Sequence, residues 1–145
     1  MERSERDTAV VGRDYRFTGV AHTYRRGFLS GFRYAGEGLR YAIASQRNFR
    51  FHLSAALAAI MLGLWLRIPL QSWAFLALTI GAVLVMELLN TAAETLVDLV
   101  SPEYNPLAKQ VKDLMAAAVL VAAIVSIVVG LVTLGPPLWL RLGFA

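Results

Sequence analysis

The stretch that decides the fold is residues 72–100, which read SWAFLALTIGAVLVMELLNTAAETLVDLV. Residues 72–86 carry no charge, and a helical pattern continues from Glu87 to about Val100. A helix needs about 20 apolar residues to cross the hydrocarbon core of a bilayer. We therefore predict a transmembrane helix over 72–100 that carries polar side chains towards its C-terminal end.

Two further apolar runs flank this segment, at about 49–67 and 107–134. We expect the last helix to end at the Gly-Pro-Pro sequence that begins at Gly135, because proline disfavours continuation of a helix. Upstream, residues 27–45 place apolar side chains at helical spacing with charged residues on the other side. This pattern is typical of an amphipathic helix that lies in the membrane surface.

These segments predict an all-α integral membrane protein with three transmembrane helices and an N-terminal amphipathic surface helix. We expect residues 27–145 to form the membrane domain. Residues 1–26 show no sustained helical or strand period and are predicted to be a disordered polar tail. Three spans can hardly enclose a polar stripe alone, and their alanine-rich faces permit close packing, so an oligomeric helical bundle is expected.

Composition excludes several classes of protein. The chain has 145 residues, of which 57% are hydrophobic and 17% charged, and its mean hydropathy is +0.56. Soluble globular proteins average roughly 45–50% apolar and about 25% charged residues, so neither a soluble domain nor a fully disordered chain fits. The absence of cysteine and the presence of only two histidines exclude disulfides, thiol nucleophiles and most zinc sites. A metal ion would therefore require oxygen ligands.

The positive charges concentrate in the N-terminal third. Residues 1–50 carry ten basic and five acidic groups, a balance of +5, whereas residues 51–145 carry four basic and five acidic groups, a balance of −1. Because Lys and Arg are enriched in cytoplasmic flanks, we expect the N-terminus and the connection at 101–106 to be cytoplasmic in a multi-pass protein of the inner membrane. The basic arm lacks interleaved aromatic residues on a defined element, so we expect no nucleic-acid partner.

The C-terminal half of segment 72–100 carries one polar stripe. At about 100° per residue, four side chains lie at about 0°, 300°, 340° and 20° around the helix: Glu87, Asn90, Glu94 and Asp98. Ionisable groups at membrane depth are costly and usually functional. The competing interpretation is that these groups only hydrogen-bond neighbouring helices. Carboxylate oxygens at this spacing suit Mg²⁺, which keeps several waters and binds phosphates.

The next helix opens with a cation beside a carboxylate. Lys112 and Asp113 follow the stripe closely enough in sequence to predict an ATP phosphate site, while Lys109 fits a membrane-flanking lysine equally well. Neither the G-x-x-x-x-G-K-[ST] loop nor the H-R-D and D-F-G motifs of protein kinases occur. A phosphoryl transfer would therefore use a different scaffold.

Residues 87–98, continued by SPEYNPLAKQVKD at 101–113 and AAAVL at 116–120, closely resemble the signature of the prokaryotic diacylglycerol kinase family. This family comprises small integral membrane lipid kinases, including undecaprenol kinases. The resemblance extends from about Gly27 to Gly130. It implies a homotrimer of three-span subunits that use ATP and Mg²⁺ to phosphorylate a membrane lipid hydroxyl at the cytoplasmic face.

The resemblance also implies roles for individual residues. Glu87 matches the general base, and Glu94 matches a carboxylate ligand of the metal ions. Many members carry Glu three residues before the Phe of the N-F-R sequence, as a second metal ligand, where this chain has Gln46. An amide oxygen coordinates Mg²⁺ without adding charge, so Gln46 stays a metal-ligand candidate.

Further positions correspond to nucleotide and lipid binding. The nucleotide-binding candidates are Asn90, Asp98, Lys112 and Asp113, and the basic residues expected to bind the lipid substrate are Arg40 and Arg50. The contexts R-N-F-R-F-H and S-P-E-Y-N-P look more like the undecaprenol kinase branch, but no residue distinguishes undecaprenol from diacylglycerol.

Two other functions fit parts of the sequence. A small proton- or cation-coupled transporter also places a carboxylate in a membrane helix, but there the acids would lie near the midplane and the lysine pair would be unexplained. A non-catalytic anchor protein would tolerate alanine throughout the polar stripe.

Overall fold

The computed structural model describes the backbone of residues 28–143 and the side chains of residues 30–143. The described backbone contains four α-helices and no strand: α1 (Phe28–Ser45), α2 (Arg47–Leu66), α3 (Leu70–Val100) and α4 (Pro106–Arg141). Helices α2, α3 and α4 are each long and apolar enough to cross a membrane. The predicted all-α fold with three spans is therefore confirmed, whereas the predicted tail at residues 1–26 lies outside the described residues.

A single extended residue separates α1 from α2. Gln46 has φ −98° and ψ 112°, and its backbone still bonds in both directions, with its N–H donating to the Ala42 carbonyl and its carbonyl accepting from the Arg50 N–H. The Arg50 guanidinium donates to the carbonyls of Ile43 and Ala44 at 3.3 and 3.0 Å. These contacts satisfy carbonyls that the end of α1 leaves without helical partners.

A tight corner joins α2 to α3. Arg67 adopts the left-handed conformation, with φ 54°, and its N–H donates to the backbone carbonyls of Gly63 and Leu64. A Cβ at Gly63 would lie 3.0 Å from the Trp73 ring and 3.1 Å from Ile68, so glycine lets the corner close. A small apolar cluster stabilises this end of the bundle: Leu66, Ile68, Leu76 and Leu134.

The connection between α3 and α4 is the short segment 101–105, and a side-chain cap begins α4 directly after it. The Asn105 side chain accepts from the N–H groups of Leu107 and Ala108 at 2.8 and 3.5 Å, and Pro106 occupies the first helical position. Proline is favoured there since its missing N–H would have no helical partner. Helices α3 and α4 then pack along each other more extensively than any other pair.

Helix α4 is longer than the sequence predicts. The predicted end at Gly135 is wrong, because the helix passes through Pro136 and Pro137 and continues to Arg141. Each proline removes one helical hydrogen bond, but breaking the helix in lipid would leave more backbone groups unpaired. The last turn is held by the Arg141 guanidinium, which lies 4.9 Å from the centre of the Trp65 ring on α2.

The length of α3 sets where its polar stripe meets the membrane boundary. Its 31 residues span about 46 Å at about 1.5 Å per residue, against a hydrocarbon core of about 30 Å. With Leu70 near one boundary, the other boundary falls near Asn90. The segment from Glu87 onward therefore passes from the apolar layer towards water.

Candidate active site

The polar stripe of α3 changes from buried to exposed along the helix. In the described part of the chain only three polar or charged residues are buried: Glu87, Asn90 and Thr91, at 3%, 8% and 7% exposure. Glu94 is half-buried and Asp98 is exposed. The stripe thus runs along one helix from a buried carboxylate, Glu87, to a solvent-exposed one, Asp98.

Glu87 meets a histidine from the neighbouring helix. His52 Nε2 on α2 lies 3.3 Å from Glu87 Oε1, and the His52 side chain is 20% exposed. The Thr91 hydroxyl donates to the Glu87 backbone carbonyl and so is unavailable as a donor to its carboxylate. Burying a carboxylate is costly unless a polar partner compensates, and His52 supplies that partner. Sequence reasoning did not select His52, although it lies in the R-N-F-R-F-H context.

Asn90 and Glu94 form a second unit one turn further along. Asn90 Nδ2 donates to Glu94 Oε1 at 2.9 Å. The other Asn90 atom, Oδ1, is buried and has no hydrogen-bond partner among the described residues. An unpaired buried acceptor is costly, so this oxygen is well suited to meet a ligand hydrogen or a cation.

The side-chain oxygens of Asn90 and Glu94 are of the kind that bind a divalent cation. An amide oxygen and a carboxylate are hard oxygen ligands of the kind that Mg²⁺ accepts, usually with waters and phosphate oxygens completing its shell. Within residues 30–143 no group of three or more His, Asp or Glu side chains could hold a metal. Gln46 is half-buried at the start of α2, and the described residues show no hydrogen bond between it and Glu94.

A charged cluster lies where α3 ends and α4 begins. Lys112 Nζ on α4 lies 2.5 Å from Asp98 Oδ1 on α3, while Lys109 pairs with Asp113 along α4. Sequence proximity suggested Lys112 with Asp113, but one turn of helix brings Lys109 to Asp113 instead. A polar cavity of about 290 Å³ opens beside both lysines, lined also by Asp98, Glu103 and Tyr104.

Comparison with known proteins assigns the chain to a family. Residues 33–134 match the family model described as prokaryotic diacylglycerol kinase. The chain belongs to the prokaryotic diacylglycerol kinase family. Undecaprenol kinase of Bacillus subtilis (strain 168) is 40% identical over 111 residues, which cover 77% of this chain and 90% of that protein.

Other relatives carry a different name. Diacylglycerol kinase of Synechocystis sp. is 49% identical over 111 residues, covering 76% of this chain and 63% of that protein. Diacylglycerol kinase of Escherichia coli (strain K12) is 35% identical over 95 residues, covering 66% and 78%. This member of the prokaryotic diacylglycerol kinase family is therefore a multi-pass membrane lipid kinase, and membership implies ATP as phosphoryl donor and usually a divalent metal.

An apolar cavity of about 340 Å³ lies between the three spans of this kinase. Its lining comes from α2, α3 and α4 and is almost entirely aliphatic, with His52 and Ser126 as its two polar side chains. Because His52 also contacts Glu87, the cavity adjoins the buried end of the polar stripe. The volume is in the range of pockets that hold small ligands or a segment of a larger one.

The two arginines expected to bind lipid occupy different positions. Arg40 is exposed on α1, with no hydrogen bond or ion pair to the rest of the described side chains. Arg50 is also exposed, but its guanidinium is engaged by the carbonyls at the end of α1. Arg50 therefore has a structural contact that the sequence did not predict.

Proposed function

We propose that this lipid kinase transfers the γ-phosphoryl group of ATP to the hydroxyl of a membrane lipid alcohol, undecaprenol or diacylglycerol, at the cytoplasmic face. The observation that carries the proposal is the change from buried to exposed acidic side chains along α3. Buried Glu87 adjoins an apolar cavity, and exposed Asp98 pairs with Lys112 beside a polar one. A lipid hydroxyl and a water-soluble phosphate can meet only at such a boundary.

Glu87 is proposed as the general base. Its carboxylate accepts the hydroxyl proton while the lipid oxygen forms a bond to the γ-phosphorus and the bond to the β-phosphate oxygen breaks, releasing ADP. Phosphoryl transfer depends mainly on positioning and on stabilising charge, and a general base contributes typically about 10²- to 10⁴-fold. The Glu87 carboxylate is the only buried acid of the stripe, which supports its proposed role beside the lipid hydroxyl.

Mg²⁺ is proposed to lie at Glu94 and the free Asn90 Oδ1, with Gln46 as a further candidate ligand. Bound there, the ion would neutralise negative charge on the ATP phosphates. Contacts among the described residues support this position, because Asn90 Nδ2 donates to Glu94 Oε1 and leaves Asn90 Oδ1 without a hydrogen-bond partner there. Asn90 thus acts in the proposal as an orienting residue of the nucleotide site.

The nucleotide is proposed to lie along the charged cluster. Lys112 supplies a compact positive charge for phosphate oxygens, and Asp98 holds the lysine in place until the nucleotide arrives. Asp113, which pairs with Lys109 one turn earlier on the same helix, completes the set of proposed nucleotide-binding residues. Arg40 is the exposed cation proposed to contact the lipid headgroup region, with Arg50 supporting the end of its helix.

The assembly is proposed to be a homotrimer in the inner membrane, with the N-terminus and the active site in the cytoplasm. Large apolar side chains on all three spans remain exposed in the single chain, for example Met61, Leu78 and Ile127. Lipid or neighbouring subunits must cover these surfaces. A trimer would also bring further residues to the half-open acidic stripe.

Side-by-side assay of the purified chain with undecaprenol and with diacylglycerol tests the proposal. The relatives' names divide between these two lipids, so the assay also decides the substrate. We expect transfer of labelled phosphate from ATP to one of the two, dependent on Mg²⁺. Absence of lipid-dependent ATP turnover with both lipids would contradict the proposal and favour the transporter interpretation.

A further inference from the structure

His52 connects the proposed base to the apolar cavity. We infer that His52 is a positioning residue for Glu87: its Nε2–H holds Oε1 and thereby presents the other carboxylate oxygen to the lipid hydroxyl. The inference rests on the proposed role of Glu87 and adds a residue to which neither the sequence pattern nor the family resemblance gave a role.

Among the described residues, Glu87 has one side-chain neighbour able to orient its carboxylate. In the described part of the chain, His52 is the only side chain within ion-pair or hydrogen-bond distance of the Glu87 carboxylate, at 3.3 Å. The nearest amide donor along the stripe, Asn90 Nδ2, is committed to Glu94. A carboxylate on a flexible three-torsion side chain needs such a contact to keep one orientation.

His52 also forms part of the wall of the apolar cavity. Its neighbours there are aliphatic, among them Ala55, Ala59 and Val83, and only Ser126 adds another polar group. The imidazole therefore lies between the carboxylate and the space that suits a hydrocarbon chain. The adjacent Phe51 ring lies edge-on to the imidazole, with centroids 5.5 Å apart and planes at 78°.

A purely structural role makes a different prediction. If His52 only filled space beside Glu87, an aliphatic side chain of similar size would replace it without loss. If it positions the carboxylate, a neutral side chain with an N–H near the Nε2 position should replace it, and an aliphatic one should not. Gln provides that N–H, and Leu lacks it.

The test compares His52→Leu with His52→Gln in lipid phosphorylation by the full chain, in the same detergent or bilayer and with the preferred lipid. Loss of a hydrogen bond to a charged group corresponds to about a 10- to 150-fold fall in kcat. We expect that fall for His52→Leu and kcat within about threefold of wild type for His52→Gln. For both variants we expect KM for ATP within about twofold of wild type, since the nucleotide is proposed to lie at the Asp98–Lys112 pair and not at His52.

Ser54→Ala is the matched control, because Ser54 lies on α2 two residues from His52 but does not line the cavity, and its hydroxyl donates to the Arg50 backbone carbonyl. We expect its kcat to stay within about twofold of wild type. Size-exclusion profile and thermal midpoint report folding of each variant. If His52→Leu does not fold, His52→Ala is measured instead, with and without added imidazole, and restoration of kcat by imidazole is the expected result.

Glu87→Gln, measured in parallel, separates the two claims. If Glu87→Gln is inactive while His52→Leu is fully active, the inference about His52 is overturned and the proposed function stands. The same conclusion follows if His52→Leu and His52→Gln lose kcat equally. A fully active Glu87→Gln overturns the proposed base and the inference with it. Failure of imidazole to restore a folded, inactive His52→Ala also overturns the inference.

Discussion

Neutralising Lys112 should impair ATP use while leaving the fold almost unchanged. Its ion pair with Asp98 joins α3 to α4, but the two side chains are 36% and 66% exposed. A surface ion pair of this kind contributes about 0–1 kcal/mol to the free energy of unfolding, and salt weakens it further. The pair is therefore too weak to account for a large loss of activity through instability.

Contact with a nucleotide phosphate is worth considerably more. A hydrogen bond to a charged group contributes about 1.5–3 kcal/mol, which corresponds to about 10- to 150-fold at 1.4 kcal/mol per tenfold. For Lys112→Gln we expect kcat/KM for ATP to fall by about that factor, with KM for the lipid changed less than about twofold. Initial-rate measurements at varied ATP and fixed lipid give these values, and thermal unfolding in detergent checks the fold.

Two comparisons test this reasoning. Lys109→Gln removes a neighbouring cation whose partner is Asp113, and we expect less than about a threefold change. Exchanging the pair, Asp98→Lys with Lys112→Asp, rebuilds the interhelical contact but moves the charge, so the free energy of unfolding should stay close to that of wild type while ATP use stays impaired. Equal losses in Lys109→Gln and Lys112→Gln, or full recovery of kcat/KM in the exchanged variant, would refute a specific phosphate contact by Lys112.

Two further predictions concern the metal and the helix corner. Glu94→Gln removes the charge of the proposed metal ligand and should raise the Mg²⁺ concentration for half-maximal rate by about tenfold or more. Gln46→Glu adds a charge and should lower that concentration. An unchanged Mg²⁺ titration in both variants would exclude these two residues as ligands. Gly63→Val should lower the free energy of unfolding by about 1–3 kcal/mol, because its side chain would overlap Trp73. The control Gly81→Ala meets no atom within 4 Å, so a stability loss as large as that of Gly63→Val would contradict the packing argument.

The course of the helices was largely predictable from hydropathy and spacing. Helices α2 and α3 begin and end within two residues of the predicted spans because charged residues and Pro69 bound the apolar runs. The end of α4 was not predictable in this way. The effect of Pro136 on a helix depends on whether water or lipid surrounds it, and sequence spacing does not contain that information.

Within the candidate site, residues on one helix were predictable and contacts between helices were not. The stripe from Glu87 to Asp98 follows from helical geometry alone. The contacts of His52 with Glu87 and of Lys112 with Asp98 depend on how two helices are rotated and shifted against each other. Ridge-and-groove packing sets that rotation through many aliphatic side chains, so no local pattern in the sequence indicates it.

The most direct test of the account is the rate of phosphate transfer from ATP to lipid in wild type and in Glu87→Gln, which keeps the size of the side chain and removes the base. We predict a lipid phosphate product from wild type and a rate at least about 100-fold lower in Glu87→Gln. Thermal unfolding of the variant should show that it remains folded. A folded Glu87→Gln protein that makes the lipid phosphate at the wild-type rate would contradict the account.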